Sequence, residues 1–173
     1  MLHLVFLPVI LLVVLLSVFS LLQDGDYYYP LEYTKAISSS YGPRTPIRVY
    51  VSGYGWMTTS DYHKGVDFAA PTGTPIYASC GGTVTTAANL GSYGNCIVIT
   101  KENGDYTRYF HLDTIGVAEG DAVLSGDPIG TVGSTGISTG PHLHFEIWIG
   151  GEHVDPTLFL KDRPPDGVGM ESP

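Results

Sequence analysis

After residue 40 the chain is a series of short runs in which apolar and polar residues alternate, a pattern typical of β-strands. Gly, Asn and Asp residues separate the runs, and the pair Asn103-Gly104 is typical of a β-hairpin. This part of the sequence contains no long amphipathic helical pattern. We therefore predict an all-β domain, mainly antiparallel, with a groove. The predicted strands are 48–52, 65–69, 75–79, 83–88, 96–101, 106–111, 122–124, 129–132 and 142–148.

The last predicted strand has the clearest alternation and carries two histidines. Because successive side chains of a strand point to opposite faces, His142 and His144 should share one face. The opposite face is apolar and should enter the core. Its residues are Leu143, Phe145, Ile147 and Ile149.

The start of the chain is a nearly continuous apolar run over residues 2–22, long enough to span a bilayer as one hydrophobic helix. It lacks the basic residues and the shorter apolar core of a typical secretory signal. We expect 1–22 to be an uncleaved membrane anchor, with a cleaved signal as the alternative. In both cases the remainder is exported. The predicted parts that follow are a linker at 23–35, the folded domain at 36–160 and a flexible tail at 161–173.

Composition narrows the classes of partner. The 173 residues suit one small domain, and 8 basic against 17 acidic residues give a net charge of −9. The sequence has no basic patch, which argues against nucleic-acid binding. The two cysteines, Cys80 and Cys96, suit an exported protein and flank one predicted strand. A disulfide between them is slightly favoured, and two buried thiols are the alternative.

Four of the six histidines lie in three short motifs that point to metal chemistry. The first motif is H-x-G-x-D, with His63 and Asp67; the second contains His111; the third is H-x-H, with His142 and His144. Imidazole and carboxylate groups suit zinc, and catalytic zinc sites commonly use three protein ligands plus water. These five groups are enough for three ligands and two histidines that handle protons.

The spacing of the first motif allows two geometries. Residues four apart align on a helix, but Gly65 lies between the two candidate groups and the β-branched Val66 follows it. A bend at Gly65 that leads into a short strand is the preferred interpretation. Such a bend would bring His63 back towards Asp67 and a single metal.

These motifs and their order resemble the lysostaphin-type zinc endopeptidases, which cut peptide bonds in bacterial peptidoglycan. The resemblance covers roughly residues 36–160 and implies a β domain of that type. The matching segments are 39–44, 63–71, 73–78, 81–84, 93–95, 111–112, 130–146 and 154–156.

The resemblance also implies roles for the five groups. It makes His63, Asp67 and His144 the zinc ligands, and His111 and His142 the catalytic histidines. We assign the general base to His142 and stabilisation of the oxyanion to His111, and the two roles could be exchanged. The implied partner is a peptidoglycan peptide.

Two alternative functions fit parts of the sequence. A non-catalytic wall-binding or hydrolase-activating module would keep the same fold, although such relatives usually lose metal ligands. Residues 117–130 resemble half of a biotinyl or lipoyl carrier domain. That function needs a lysine on an exposed hairpin, and Lys35, Lys64, Lys101 and Lys161 all lack this context.

Overall fold

The computed structural model describes residues 27–32 and 34–163. The predicted all-β class, mainly antiparallel, is confirmed, whereas the predicted N-terminal hydrophobic helix lies outside these residues. In the described part, the helices Gly91–Tyr93 and Pro156–Leu158 are single 3-10 turns, so no helix there is long enough to cross a bilayer. The strands are β1 (Tyr27–Tyr28), β2 (Ile37–Ser39), β3 (Gly42–Pro43), β4 (Arg48–Val51), β5 (Gly55–Thr58), β6 (Tyr62–His63), β7 (Val66–Ala69), β8 (Pro75–Tyr77), β9 (Gly82–Asn89), β10 (Asn95–Thr100), β11 (Tyr106–Ile115), β12 (Ala122–Val123), β13 (Pro128–Val132), β14 (His142–Ile149), β15 (Glu152–Val154) and β16 (Leu160–Lys161).

A ten-stranded sheet forms the body of the domain. Its main path runs in the order β12-β9-β10-β11-β14-β7-β2, while β13 joins β11 to β8 and β15 pairs with β14. The described strand pairs of this sheet are antiparallel. The β3–β6 pair and the β4–β5 hairpin are small separate sheets. The predicted site residues lie on β6, β7, β11 and β14. Of these strands, β11, β14 and β7 are consecutive in the ten-stranded sheet, with β14 in the middle.

All nine predicted strands are present, as β4 and β7 to β14. Their ends differ from the prediction by one or two residues, except that β11 continues to Ile115. The Asn103-Gly104 hairpin is also confirmed, because the N–H of Lys101 donates to Asp105 O at 2.8 Å across the turn between β10 and β11. Gly104 has φ 89°, in the left-handed region that favours glycine.

The alternation along β14 sorts its two faces as predicted. Leu143, Phe145 and Ile147 are fully buried in the core, and Ile149 is partly buried against it. Rings from neighbouring strands pack around them: Tyr109 lies 5.2 Å and Phe68 6.4 Å from Phe145, centroid to centroid. The apolar face of β14 therefore holds the strand firmly while the histidine face is presented to the site.

The predicted linker and tail require a correction. Tyr27 and Leu31, which fall in the predicted linker 23–35, are buried in the hydrophobic core. The strand β1 also pairs in parallel with β16 in a separate two-stranded sheet, so Lys161 belongs to a strand and not to the tail. The aromatic and aliphatic side chains of this segment have apolar surface to bury, which a solvated linker would leave exposed. The folded domain therefore includes residues from Tyr27 onwards.

The disulfide slightly favoured from the sequence is not present. Cys80 and Cys96 are both buried thiols with no bond between them. Cys80 belongs to the core cluster together with Ile97 and Ile99, whereas Cys96 directly precedes Ile97 on β10 and therefore points to the opposite face of the strand. Burial raises the pKa of the Cys96 thiol. The alternative interpretation, two buried thiols, is therefore correct.

Candidate active site

The first motif bends at Gly65, as predicted. His63 ends β6 and Asp67 lies within β7, so the glycine forms the corner between the two strands. A Cβ atom on Gly65 would lie 2.2 Å from the carbonyl oxygen of Phe145 on β14. Only glycine allows this close approach, and the approach places the corner directly against the strand that carries the H-x-H motif.

Three donor atoms converge where β6, β7 and β14 meet. Asp67 and His144 are directly opposite in the antiparallel register, and His144 Nδ1 lies 2.8 Å from Asp67 Oδ1. His63 Nε2 lies 3.0 Å from His144 Nδ1 and 3.2 Å from Asp67 Oδ1. The three residues predicted to hold the metal thus present two nitrogens and one oxygen to a common point.

The outer nitrogen of each of these imidazoles already has an acceptor. His63 Nδ1 donates to Ser40 O at 2.8 Å, and His144 Nε2 donates to Glu146 Oε1 at 3.1 Å. A cation binds the neutral form of each ring, which carries its one proton on this outer nitrogen and its lone pair on the atom that faces the common point. This arrangement of outer partners is typical of metal-binding histidines.

The electrostatics of the cluster favour a cation. Burial alone would raise the pKa of Asp67, but hydrogen bonds from His144 and His63 hold it well below its usual range. Burial lowers the pKa of His144, but its bonds to Asp67 and Glu146 outweigh burial and raise it to about 9. Burial would also raise the pKa of Glu146, and its contacts with His144 and Trp148 lower it instead. Two ionised carboxylates therefore flank the site.

The donor set fits zinc. Ligands about 2.0–2.1 Å from a tetrahedral zinc lie roughly 3.3 Å from one another, close to the 2.8–3.2 Å separations of the donor atoms. Two imidazoles and one carboxylate also match catalytic zinc sites, which leave a fourth position open. His63, Asp67 and His144 could therefore hold zinc with the side chains as they stand.

The other two histidines lie beside this cluster. The rings of His111 and His142 are 4.8 Å apart, and His142 Nε2 lies 3.8 Å from Asp67 Oδ1. His111 Nδ1 and His142 Nδ1 donate at 2.8 Å to the carbonyl oxygens of Thr135 and Gly140. Both rings therefore keep Nε2 unprotonated in the neutral form. All five predicted groups are brought together, and their separate roles stay predictions.

His111 occupies an unusual backbone position. With φ 64° it is the one non-glycine residue with positive φ in the described part of the chain. The pairing of β11 with β14 ends at Phe110, and the pairing of β11 with β13 begins at Leu112, so His111 lies between the two. Backbone strain of this kind is commonly kept at functional sites. Burial lowers the pKa of His111 to about 4, so this imidazole is neutral at neutral pH.

A groove of about 820 Å³ runs past the five groups, within the size range of ligand-binding clefts. The β4–β5 hairpin supplies apolar wall residues, and the loop before β14 supplies polar ones. Tyr93, which is half exposed, also lines the groove and stacks on Phe110 with centroids 4.9 Å apart. Representative lining residues are Ser39, Arg44, Val49, Met57, Ser138 and Thr139.

The sequence interpretation missed Glu146. Its carboxylate touches His144, and its side chain is 5% exposed. The signal was available, because Glu146 follows His142 and His144 at the same spacing of two and therefore shares their face of β14. Phe110 was likewise not assigned a role, yet its ring stacks on that of His144 at 5.5 Å and limits its rotation.

Replacing Gly65 with alanine should destabilise the domain by about 1–3 kcal/mol or more and lower its metal content. The new Cβ would collide with backbone of Phe145 and separate β7 from β14. Urea unfolding followed by circular dichroism measures the first effect and elemental analysis the second. Gly81→Ala is the matched control, since its Cβ would meet Val123 O at an ordinary 3.5 Å. Equal stability of the two variants would contradict the packing argument.

Comparison with known proteins assigns the family. The sequence profile described as peptidase family M23 matches residues 61–156, which contain all five groups. DD-carboxypeptidase/endopeptidase Mpg of Neisseria meningitidis serogroup B is 47% identical over 143 residues, covering 82% of this chain and 31% of that protein. Peptidoglycan DD-endopeptidase ShyA of Vibrio cholerae is 39% identical over 148 residues, covering 77% of this chain and 32% of that protein.

Solved structures agree with this assignment. A zinc-containing peptidase from Vibrio cholerae has a TM-score of 0.66 at 34% identity, covering 81% of this chain and 41% of that one. The catalytic domain of lysostaphin from Staphylococcus simulans has a TM-score of 0.57, also at 34% identity, covering 72% of this chain and 90% of that one. The chain belongs to peptidase family M23. It spans about a third of the length of the curated relatives that it matches.

Proposed function

We propose that this protein is a zinc-dependent endopeptidase that hydrolyses peptide bonds in bacterial peptidoglycan. The observation that carries the proposal is the convergence of His63 Nε2, Asp67 Oδ1 and His144 Nδ1 beside two further histidines in an open groove. Family membership and the names of the relatives support the same activity. A wall-binding module without catalysis would have no need of His111 and His142 in this position.

Each group has a specific task in the proposed mechanism. His63, Asp67 and His144 would hold the zinc. Zinc in such a site lowers the pKa of bound water to about 7 and polarises the scissile carbonyl. His142 takes the proton from the attacking water and delivers it to the leaving amine. His111, which is neutral with an unprotonated Nε2 in the resting site, must gain a proton on Nε2 before it can stabilise the oxyanion. Because both rings present Nε2 to the groove and anchor Nδ1 on a carbonyl, the same geometry serves the exchanged roles.

The substrate we propose is a peptide cross-link of the kind cut by DD-endopeptidases. Two curated relatives bear that activity in their names and are 47% and 39% identical to this chain. The lysostaphin catalytic domain is less similar, at 34% identity. The groove walls carry few charged side chains, with Arg44 the cation among the described lining residues. A mainly uncharged peptide suits such walls.

Digestion of purified peptidoglycan tests the proposal. The full chain, purified in detergent and loaded with zinc, should bind one zinc and release muropeptides with cleaved cross-links, identified by mass spectrometry. A chelator should stop the release, and added zinc should restore it. Stoichiometric zinc without cleavage of any wall type would contradict the proposal and favour the wall-binding or activating module.

We also propose that the protein stays at the membrane through residues 1–22. Because the folded domain includes Tyr27, only residues 23–26 separate it from this segment, and four residues reach at most roughly 14 Å when extended. The active site would then be restricted to wall close to the membrane. Amino-terminal sequencing of the mature protein checks this. A chain beginning near Leu21 would mean a cleaved signal and a released enzyme.

A further inference from the structure

Glu146 is a buried carboxylate that binds the outer edge of a proposed metal ligand. It lies two residues after His144 on the same face of β14, and its side chain is 5% exposed. One oxygen, Oε1, accepts from His144 Nε2 at 3.1 Å. The other, Oε2, accepts hydrogen bonds from Trp148 Nε1 at 2.6 Å and from Arg108 Nη1 at 3.4 Å. Both oxygens of the carboxylate are therefore in use.

Neighbouring strands fix the carboxylate in this position. Arg108 is directly opposite Glu146 in the register of β11 and β14, and Tyr106 is directly opposite Trp148. The rings of Tyr106 and Trp148 stack with centroids 5.4 Å apart, and the guanidinium of Arg108 lies 4.8 Å from the Trp148 ring centroid. The indole and the guanidinium thus hold Glu146 from the side away from the site.

The contact decides which nitrogen of His144 can bind a cation. An ionised carboxylate only accepts hydrogen bonds, so His144 Nε2 must carry a proton, and in the neutral ring that binds a cation the lone pair is then on Nδ1. That Nδ1 atom is the one that lies 2.8 Å from Asp67 Oδ1 and 3.0 Å from His63 Nε2. Reversing the tautomer would place a proton at the point where the three donor atoms meet.

Glu146 also contributes to the charge balance around His144. Asp67 and Glu146 bring two negative charges to the two sides of the His144 ring, and both side chains are largely buried, at 15% and 5% exposure. Buried charges need compensating partners. Arg108 compensates part of the charge of Glu146, and a divalent cation at the meeting point of the donor atoms would compensate Asp67 directly and Glu146 through the imidazole of His144.

We propose that Glu146 is a positioning residue that fixes the tautomer and orientation of His144 and thereby sets the affinity of the site for zinc. The proposal rests on the function proposed above, because it needs zinc to be held by His63, Asp67 and His144. It extends the H-x-H motif to H-x-H-x-E, with Glu146 at a spacing of two from the second histidine.

Zinc affinity of matched variants provides the test. The full chain and Glu146→Gln are titrated with zinc in a metal buffer, and the unfolding midpoint of each metal-free protein is recorded. Glu146→Gln keeps the size of the side chain but loses its charge, and we expect roughly 10- to 100-fold weaker zinc binding, as for other outer partners of metal-binding histidines. Glu152→Gln, exposed on the neighbouring strand β15, removes the same charge and should leave the affinity unchanged.

The outcomes separate this inference from the proposed function. If the wild-type chain binds no zinc, the proposed function fails. If the wild type binds zinc and Glu146→Gln binds it equally well, only the role of Glu146 is wrong. Weaker binding that merely follows a loss of stability in the metal-free protein would also overturn the positioning role.

A measurement on the wild type does not depend on the folding of any variant. Long-range ¹H–¹⁵N spectra of the zinc-loaded full chain should show His144 protonated at Nε2 and bound to zinc through Nδ1. Zinc bound through Nε2 of His144 would overturn the inference, because Glu146 could then not accept a hydrogen bond from that atom.

Discussion

His142→Ala and His111→Ala should each lower turnover on peptidoglycan by roughly 10² to 10⁴-fold, the usual contribution of proton transfer by a positioned side chain. Both variants should still bind one zinc, since neither imidazole belongs to the converging set of His63, Asp67 and His144. Muropeptide release measures the first expectation, and elemental analysis of the same samples measures the second.

His153→Ala is the control for this experiment. His153 is a histidine of the same domain, but its Nδ1 lies 2.8 Å from Tyr41 Oη and its ring packs against Tyr62 and Trp148, away from the groove lining. It should retain near-normal turnover. Turnover of His142→Ala and His111→Ala at the level of this control would remove both residues from the mechanism.

The second large effect is expected at the proposed ligands. His63→Ala, Asp67→Ala and His144→Ala should each weaken zinc binding by more than about 100-fold, beyond the loss typical of an outer partner. Each substitution removes one of three donor atoms that lie 2.8–3.2 Å apart. Titration in a metal buffer, with unfolding curves of the metal-free proteins, measures the change.

The comparison within the H-x-H motif is the sharpest part of this prediction. His142 and His144 are two residues apart on one strand and one face, yet only His144 lies within hydrogen-bonding distance of both Asp67 and His63. His142 Nε2 is 3.8 Å from Asp67 Oδ1. If His142→Ala loses zinc as completely as His144→Ala, the assignment of ligand and catalyst within this motif is wrong.

Several parts of the site could be predicted because they depend on local periodicity. Alternation along β14 places His142 and His144 on one face whatever the rest of the fold does, since the side-chain period of a strand is two. The bend at Gly65 was also predictable, because glycine followed by a β-branched residue disfavours a continuous helix. Both features are present in the structure.

Other parts depended on contacts between distant segments. Strands β1, β3 and β6 have two residues each, too short to carry a periodic pattern, and they exist through pairing with β16 or with one another. Tyr27 and Leu31 enter the core beside segments that are distant in sequence, since β1 pairs with β16 and Tyr28 N–H donates to Ser79 O. The predicted linker 23–35 therefore extends too far, because Tyr27 and Leu31 already belong to the folded domain.

The amino-acid sequence by itself determined the all-β class, nine strands and the five groups of the site, because these follow from spacing and residue type. The tertiary structure decided how the groups face one another: the register of β7 against β14 sets Asp67 opposite His144, and the change of partner in β11 turns the backbone at His111. It also decided that Glu146 holds the outer edge of His144. Register and hydrogen-bond partners are properties of paired strands, and no single segment contains them.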